Sequence, residues 1–553
     1  MQILQLPWSV IITLQPEIMP YYINNYDQKI SDVHGNFKSK IKAYAALYNN
    51  QPATISDYVS AITDIQNIIN VAKVHSREIR AHGSRWSLNN IFHSKDINVV
   101  NSNPLRKKDK ELYQDPDSNV EGQAAPINNN FNHFLTTSEL LDKTAGSHDY
   151  FFCQSGLKIG ELNKICESEN RSLMTSGASN GQSIAGAIST GVHGSSHHIG
   201  SIQDTIRGIH LITGTNNKDS VYVEPASAPM VEKSFLDSIG VNRHIKDDDL
   251  FYSCLVGLGT MGYIHGVLME TVPLYYLQSY ARKVNMDTVY KFFDAIRVDP
   301  TAPEKVIIKE DIIPIENESL NDLYHMKFYI NQYNERVVAE MCYKHLPFRG
   351  ERRTPTFFEN NKEVIITVGK FFSTILPFAI PLFINKQMPK DPKDEDRRQT
   401  LGDTFNLSPN IRLGQYALAV SFPIEEATEA LQLLMKEVKK SKKFPNIFSL
   451  RFVKRSKAKM AFTRFGINCI FGIDGMNHKR TRAFERRIAA LLIEKKISHT
   501  WHWGKSNSLT PEFIKDVYDA DLVTWQKART VLIKDEQIRN AFTNEYTRKR
   551  GLV

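Results

Sequence analysis

Residues 177–195 read GASNGQSIAGAISTGVHGS: five glycines separated by small or hydroxylated residues, with one titratable side chain, His193. Side chains this short cannot fill a core, so the segment offers exposed backbone that another object can approach closely. Consecutive N–H groups in such a turn form a concavity suited to an anion, most often a phosphate. The Gly-Lys-Ser/Thr ending of a P-loop is missing, and so is the GxGxxG that follows a strand and opens a helix in a Rossmann unit. A flexible linker is the competing reading. Ile184, Ala185, Ala187, Ile188 and Val192 recur too regularly for a solvated tether.

The rest of the composition bounds the partners. A chain of 553 residues divides into two or three domains, and 41% hydrophobic content is ample for their cores. The 69 Lys and Arg exceed the 60 Asp and Glu by nine, but they are spread out rather than gathered into the patch a nucleic-acid partner needs. Only residues 436–459 concentrate basic charge, as a solvated face or as a site for an anionic substrate or lipid headgroup. Cys153, Cys166, Cys254, Cys342 and Cys469 are far apart and form no CxxC pair. That argues against a metal site and a disulfide frame, and for a reducing, cytoplasmic setting. The N-terminus has an apolar run without a basic leader, and no stretch reaches the roughly 20 apolar residues of a membrane span.

Along the chain, residues 56–99 read as strand, helix, strand. Thr63 and Gln66 make a candidate capping box, and Ile65, Ile68, Ile69 and Ala72 a helical face. The helix gives way to EIRAHG, a strand entering the glycine and serine turn HGSRWSLNN at 82–90. Residues 100–147 are polar and read as a surface excursion. A strand and helix at 150–170 lead to the 177–195 segment, and an apolar strand follows at 206–213. Gly257, Gly259 and Gly262 then precede a β-branched run. After Pro273 the texture changes: HMKFYIN, VVAEMCY and QYALAVSFP alternate as antiparallel strands do, and 423–438 carries an apolar helical stripe. The apolar 363–389, broken by Pro377 and Pro381, reads as a buried element or as an exposed lid, with 371–384 available for peripheral membrane contact.

Two glycine turns, a third glycine cluster and a later antiparallel region, in this order, resemble the FAD-binding PCMH-type flavoproteins of the vanillyl-alcohol oxidase superfamily, in particular the aldonolactone and alditol oxidase branch. The resemblance implies an α+β fold. It would comprise a two-subdomain FAD-binding domain at 51–275 after an N-terminal extension at 1–50, an α+β cap with an antiparallel sheet at 276–490, and a C-terminal segment at 491–553 returning to the FAD domain. It also implies the cofactor contacts. His82, Gly83, Ser84, Arg85, Trp86 and Ser87 would come from the first turn. Gly177, Ala178, Ser179, Asn180, Gly181, Ser183, Gly186, Ser189, Thr190, Gly191, His193 and Gly194 would come from the second, and Gly262 and Ile264 from the third. Many members bind FAD covalently through a histidine in a GSGHS turn. Trp86 stands at that position, so noncovalent FAD is expected.

The same resemblance implies the chemistry. FSLRF at 448–452 is similar to the cap strand that presents an E-x-R pair to the flavin, with Arg451 as the arginine and Ser449 in place of the carboxylate. HTWHWGKSNSL at 499–509 resembles the HWGK motif, making Lys505 the lysine beside the flavin, with His502 as the default proton acceptor and Ser449 a poor one. An arginine there stabilises negative charge better than a lysine. The expected activity is oxidation of a CH–OH group in an alcohol, polyol, sugar lactone or sterol-like substrate. Hydride would pass to the flavin, and dioxygen or another acceptor would regenerate it. Loss of the carboxylate leaves a second expectation open, a flavin-fold protein that has become a binding or scaffold protein.

Overall fold

The computed structural model describes residues 54–100, 130–146, 148–345, 380–388, 398–405, 415–440 and 446–553, with short strands at 23–24, 28–31, 38–41 and 43–46. The first long helix is Ile55–Val74, so the segment expected as a strand at 56 is its first turn. Its cap is Thr54, not Thr63. The Thr54 backbone N–H donates to Asp57 at 2.8 Å and the Asp57 N–H to the Thr54 hydroxyl at 3.2 Å, a reciprocal box that captures two orphan donors. The apolar face extends back to Tyr58 and Ile62, which makes the earlier start favourable.

This helix lies beside a four-stranded sheet ordered Ile23–Asn24, Ala43–Ala46, Ile97–Val100, Ile79–His82. Residues expected in an N-terminal extension therefore supply two of its strands. A seven-stranded sheet forms the second half. At its centre Tyr263–Pro273 pairs antiparallel with both Ile206–Ile212 and Tyr150–Gln154. Asn132–Phe134 joins its edge, so the polar excursion ends sooner than expected; residues 101–129 of it lie outside the described residues. Tyr58 joins the halves, its hydroxyl 2.7 Å from His210 Nδ1 and its ring stacked on His265 at 3.8 Å.

The cap is an eight-stranded antiparallel sheet ordered Arg398–Thr400, Tyr276–Val284, Val337–His345, Leu323–Ile330, Asn446–Lys454, Ile467–Met476, Gln415–Pro423, Thr500–Trp501. Its last strand falls beyond residue 490. Side chains alternate across a strand, so Phe328, Phe448, Leu450, Phe452 and Phe471 share one face, where they are buried. Phe292 of the helix Met286–Ala295 packs on Phe328 and Phe452, and Phe484 of Lys479–Glu494 on Phe448. Each buried phenylalanine contributes about 1.5–3 kcal/mol. The opposite face carries Lys327, Tyr329, Glu340, Ser449, Arg451 and Asp474.

The helix expected at 423–438 is Ala427–Lys440, entered through a 3-10 turn at Ile424–Glu426. Most of 363–389 lies outside the described residues. Its end forms the helix Ile380–Gln387, with Ile380 and Ile384 buried and Leu382 exposed. No described helix is long and apolar enough to cross a membrane. Beyond the cap, Trp525 Nε1 donates to the Val256 carbonyl at 3.2 Å, Arg529 Nε to that of Thr260 at 3.2 Å, and Asn544 Nδ2 to that of His93 at 2.9 Å. The C-terminal helices thus lie against the first half of the chain.

Candidate active site

The two glycine turns pack directly on one another. A Cβ at Gly83 would sit 1.9 Å from the Ser183 Oγ, and one at Gly181 would sit 2.4 Å from the Trp86 indole. Glycine is required at both by close approach. Within the second turn, residues 184–190 form a short helix rather than a loop, which explains its regular apolar residues: Ile184, Ala187 and Ile188 are buried beneath it. Gly186, Ser189 and Thr190 lie in this helix, Gly191 ends it at φ +76°, and Ser183 begins it. Arg85 takes a left-handed φ of +55°, an uncommon and costly conformation for a side-chain-bearing residue.

Other segments close on these turns. Arg80 Nη1 donates to the Gly259 carbonyl at 2.7 Å, Leu88 N–H to Gly504 at 2.8 Å, and Asn89 Nδ2 to both the Trp503 and Lys505 carbonyls at 2.7 Å. The third cluster and the HWGK segment therefore both touch the first turn or the strand leading into it. Gly262, at φ +103°, abuts the Ile212 carbonyl, and Ile264 pairs with Leu211. Gly177 packs on Val192, and Gly194 on the Ser176 carbonyl. Asn180 Nδ2 reaches across to the Gly402 carbonyl at 2.8 Å, and Ala178 is partly exposed.

The donor set suits a diphosphate. The hydroxyls of Ser84 and Ser179 and the Nε2 of His193 are buried without a hydrogen-bond partner in the protein. Two unspent hydroxyl donors beside glycine backbone fit a ligand whose oxygens only accept. Ser87 lies beside them, partly buried. His82 is buried, and desolvation, then Arg85, push its imidazole down to about 3.

At the far end of the second turn the cap delivers a cluster of charges. Ser195 is inserted where two cap strands separate: the Phe452 N–H donates to its Oγ at 3.1 Å, its Oγ donates to the Met326 carbonyl, and the Met326 N–H donates to its carbonyl at 3.2 Å. The adjacent residues of those strands are Arg451 and Lys327, paired directly across the ladder. Asp474 lies on the same face, 3.9 Å from Arg451 Nη2 and 3.7 Å from Lys505 Nζ. Ser449 is buried beside Gly472, with no partner for its hydroxyl. His193 and His502 rings lie 5.7 Å apart, each against Phe462.

The electrostatics follow from burial and crowding. Burial raises the Asp474 carboxyl, but Lys505, Arg451 and Lys327 outweigh it and hold it below its usual value. Burial lowers Lys505, with Asp474 opposing and Arg451 reinforcing. His502 is pushed well down, first by burial and then by Lys505 and Arg451, and its Nδ1 accepts the Gly504 N–H at 3.0 Å. His502 is thus held as a neutral, weakly basic ring. His193 is depressed in the same way.

The structure thus brings Arg451, Lys505, His502, Ser449 and His193 together, and adds Asp474, Lys327 and Glu340, which sequence reasoning missed. Their signal was present: HMKFYIN, VVAEMCY and IFGIDGM each place one charge inside an apolar strand. Such a charge is costly without a polar purpose.

No protein-family model matches the sequence. The solved structure of cholesterol oxidase from Brevibacterium sterolicum matches with a TM-score of 0.64, covering 97% of this chain and 99% of that one at 11% identity; a solvent-stable cholesterol oxidase matches with the same TM-score. At that identity the match shows the fold: the chain is built as these oxidases are. In sequence, part of the chain is similar to D-arabinono-1,4-lactone oxidases. D-arabinono-1,4-lactone oxidase of Debaryomyces hansenii is 23% identical over 240 residues, 43% of this chain, and the enzyme of the same name from Candida albicans is 28% identical over 144 residues, 26% of this chain. The chain matches 35% of the length of the first relative and 22% of the second.

Proposed function

We propose that the protein is an FAD-dependent oxidoreductase that oxidises a CH–OH group and binds FAD noncovalently. The observation that carries this reading is the meeting of Arg451, Lys505 and Asp474 at the end of the 177–195 segment. In this reading residues 51–275 and 491–553 hold the cofactor and 276–490 cover it. Backbone amides of 83–87 and 177–183, with the Ser84 and Ser179 hydroxyls, would take the diphosphate. Bound FAD supplies the two-electron acceptor for the substrate's hydride. Arg451 stabilises negative charge as it develops. Lys505 binds a substrate oxygen, and Asp474 orients both cations and accepts a hydrogen bond from a substrate hydroxyl.

Asp474 supplies from the adjacent strand the carboxylate that position 449 lacks, which favours an enzyme over a scaffold. The relatives' names point to a sugar lactone and the structural matches to a sterol; polyols and other alcohols fit the same groups. Dioxygen or another small acceptor would restore the flavin.

Purified protein is expected to be yellow and to release its colour into the supernatant on acid precipitation, because Trp86 cannot form a histidyl bond. Colour in the pellet refutes the noncovalent reading, and colourless protein that ignores added FAD refutes the whole. Anaerobic bleaching by D-arabinono-1,4-lactone, alditols and sterols then identifies the substrate class. Replacing Asp474 with alanine should slow bleaching by about 100-fold, the scale of misplacing groups that hold the substrate, because Arg451 and Lys505 lose the carboxylate that orients them.

A further inference from the structure

We propose that Lys327 accepts the proton released by the substrate's hydroxyl, an inference that rests on the oxidoreductase reading above and supplies the proton acceptor it lacks. Lys327 lies directly across the ladder from Arg451, so the two side chains stand side by side on the polar face of the cap sheet. A substrate held at Arg451 would therefore lie beside the strand residue that carries this amine. Lys327 is 6% exposed, its Nζ bonded to the Tyr329 hydroxyl and 3.9 Å from the centre of that ring. These contacts position the amine.

The groups facing it come from every neighbouring strand: His325 and Tyr329 on its own, Glu340 on one side, Arg451 and then Asp474 on the other, with Lys505 beyond. Glu340 also pairs with His325 at 3.3 Å. Burial, then Arg451, lower the Lys327 ammonium against the pull of Glu340 and Asp474, to about 7. A base poised near neutrality combines availability with driving force. The alternatives are weaker. His502 Nδ1 already accepts a backbone N–H and its ring is strongly depressed, His193 is depressed likewise, and Ser449 has no basic atom to offer.

The balance is simple. The substrate O–H bond breaks and its proton joins the lone pair of Nζ. The O–H electron pair becomes the second bond of the new carbonyl, and the C–H pair leaves as hydride to the flavin-class oxidant. Water later removes the proton from the ammonium.

The test uses the flavin-loaded protein and two readouts. Pulse acetylation with acetic anhydride between pH 5 and 11, read by mass spectrometry, should give a Lys327 labelling midpoint near 7. A midpoint above 9, or no labelling below pH 9, overturns the proposal. Anaerobic bleaching by D-arabinono-1,4-lactone should rise tenfold per pH unit below the midpoint and level off above it, because the protonated amine is inactive. Lys327→Met should lose about 100-fold and the acid limb with it. Lys327→Arg keeps the charge yet cannot accept the proton, so it should fail equally.

Rescue by arginine, or a Lys327→Met profile within threefold of wild type, overturns the proposal. Unchanged flavin content shows that a variant has folded; where Lys327→Met does not fold, Lys327→Arg and the wild-type labelling decide. Failure of the lactone to bleach wild-type protein counts against that substrate, and labelling then decides for Lys327.

Discussion

Arg451→Met is expected to slow anaerobic bleaching by about 10³-fold, the upper range for removing one preorganised charge-stabilising group, while flavin content stays near that of wild type. Arg451 is 8% exposed, its guanidinium faces Asp474, and Phe452 beside it is fixed by Ser195. Its charge is therefore held in place before substrate arrives. Lysine should recover only part of the rate, since a point charge does not reproduce the planar fork. Stopped-flow bleaching against substrate concentration checks this: the loss should fall on the limiting rate rather than on half-saturation. A rate within tenfold of wild type would remove Arg451 from the chemistry.

Gly83→Val is expected to abolish retention of flavin and to destabilise the fold by about 1–3 kcal/mol, the usual cost of overpacking. Even the first added carbon would overlap Ser183 at 1.9 Å, forcing apart the turns whose unspent hydroxyls suit the diphosphate. Gly186→Ala is the control. Its Cβ would meet nothing nearer than 3.2 Å, on an exposed helical position, and both colour and melting temperature should survive. Absorbance of the purified variants and their thermal unfolding decide the comparison. A yellow Gly83→Val protein would separate these turns from cofactor binding.

The turns were legible because a run of glycine and serine at 83–87 and 177–195 cannot fill a core, so it stood out in the sequence, while the close packing of Gly83 on Ser183 and of Gly181 on Trp86 showed only in the fold. Helix 55–74 was legible in type but not in origin. Two Thr-x-x-acid or Thr-x-x-amide boxes compete there, and the winner depends on Tyr58 and Ile62 having a buried surface to meet. The cap's strands were visible in their alternation, but register was not. Ser449 stands between Tyr329 and Gly472, and only that register shows that Asp474, two residues beyond Gly472, shares its face, so Ser449 read as a lost carboxylate. Lys327 and Glu340 were hidden for the same reason: each is a single charge in an apolar run until the ladder aligns them with Arg451. The weak basicity of His502 was equally invisible, since it arises first from burial and then from Lys505 and Arg451, the latter brought to it by the cap.

Ser195 acts as a rivet between the two parts of the molecule. Its hydroxyl and carbonyl hold Met326 and Phe452 at a fixed gap, one residue from Lys327 and Arg451 respectively. Any ligand that tightens residues 177–194 pulls on that gap. If the proposed cofactor seats on those turns, its binding and the alignment of the cap are mechanically one act, and protein stripped of it should change the spacing of those strands as well as lose colour.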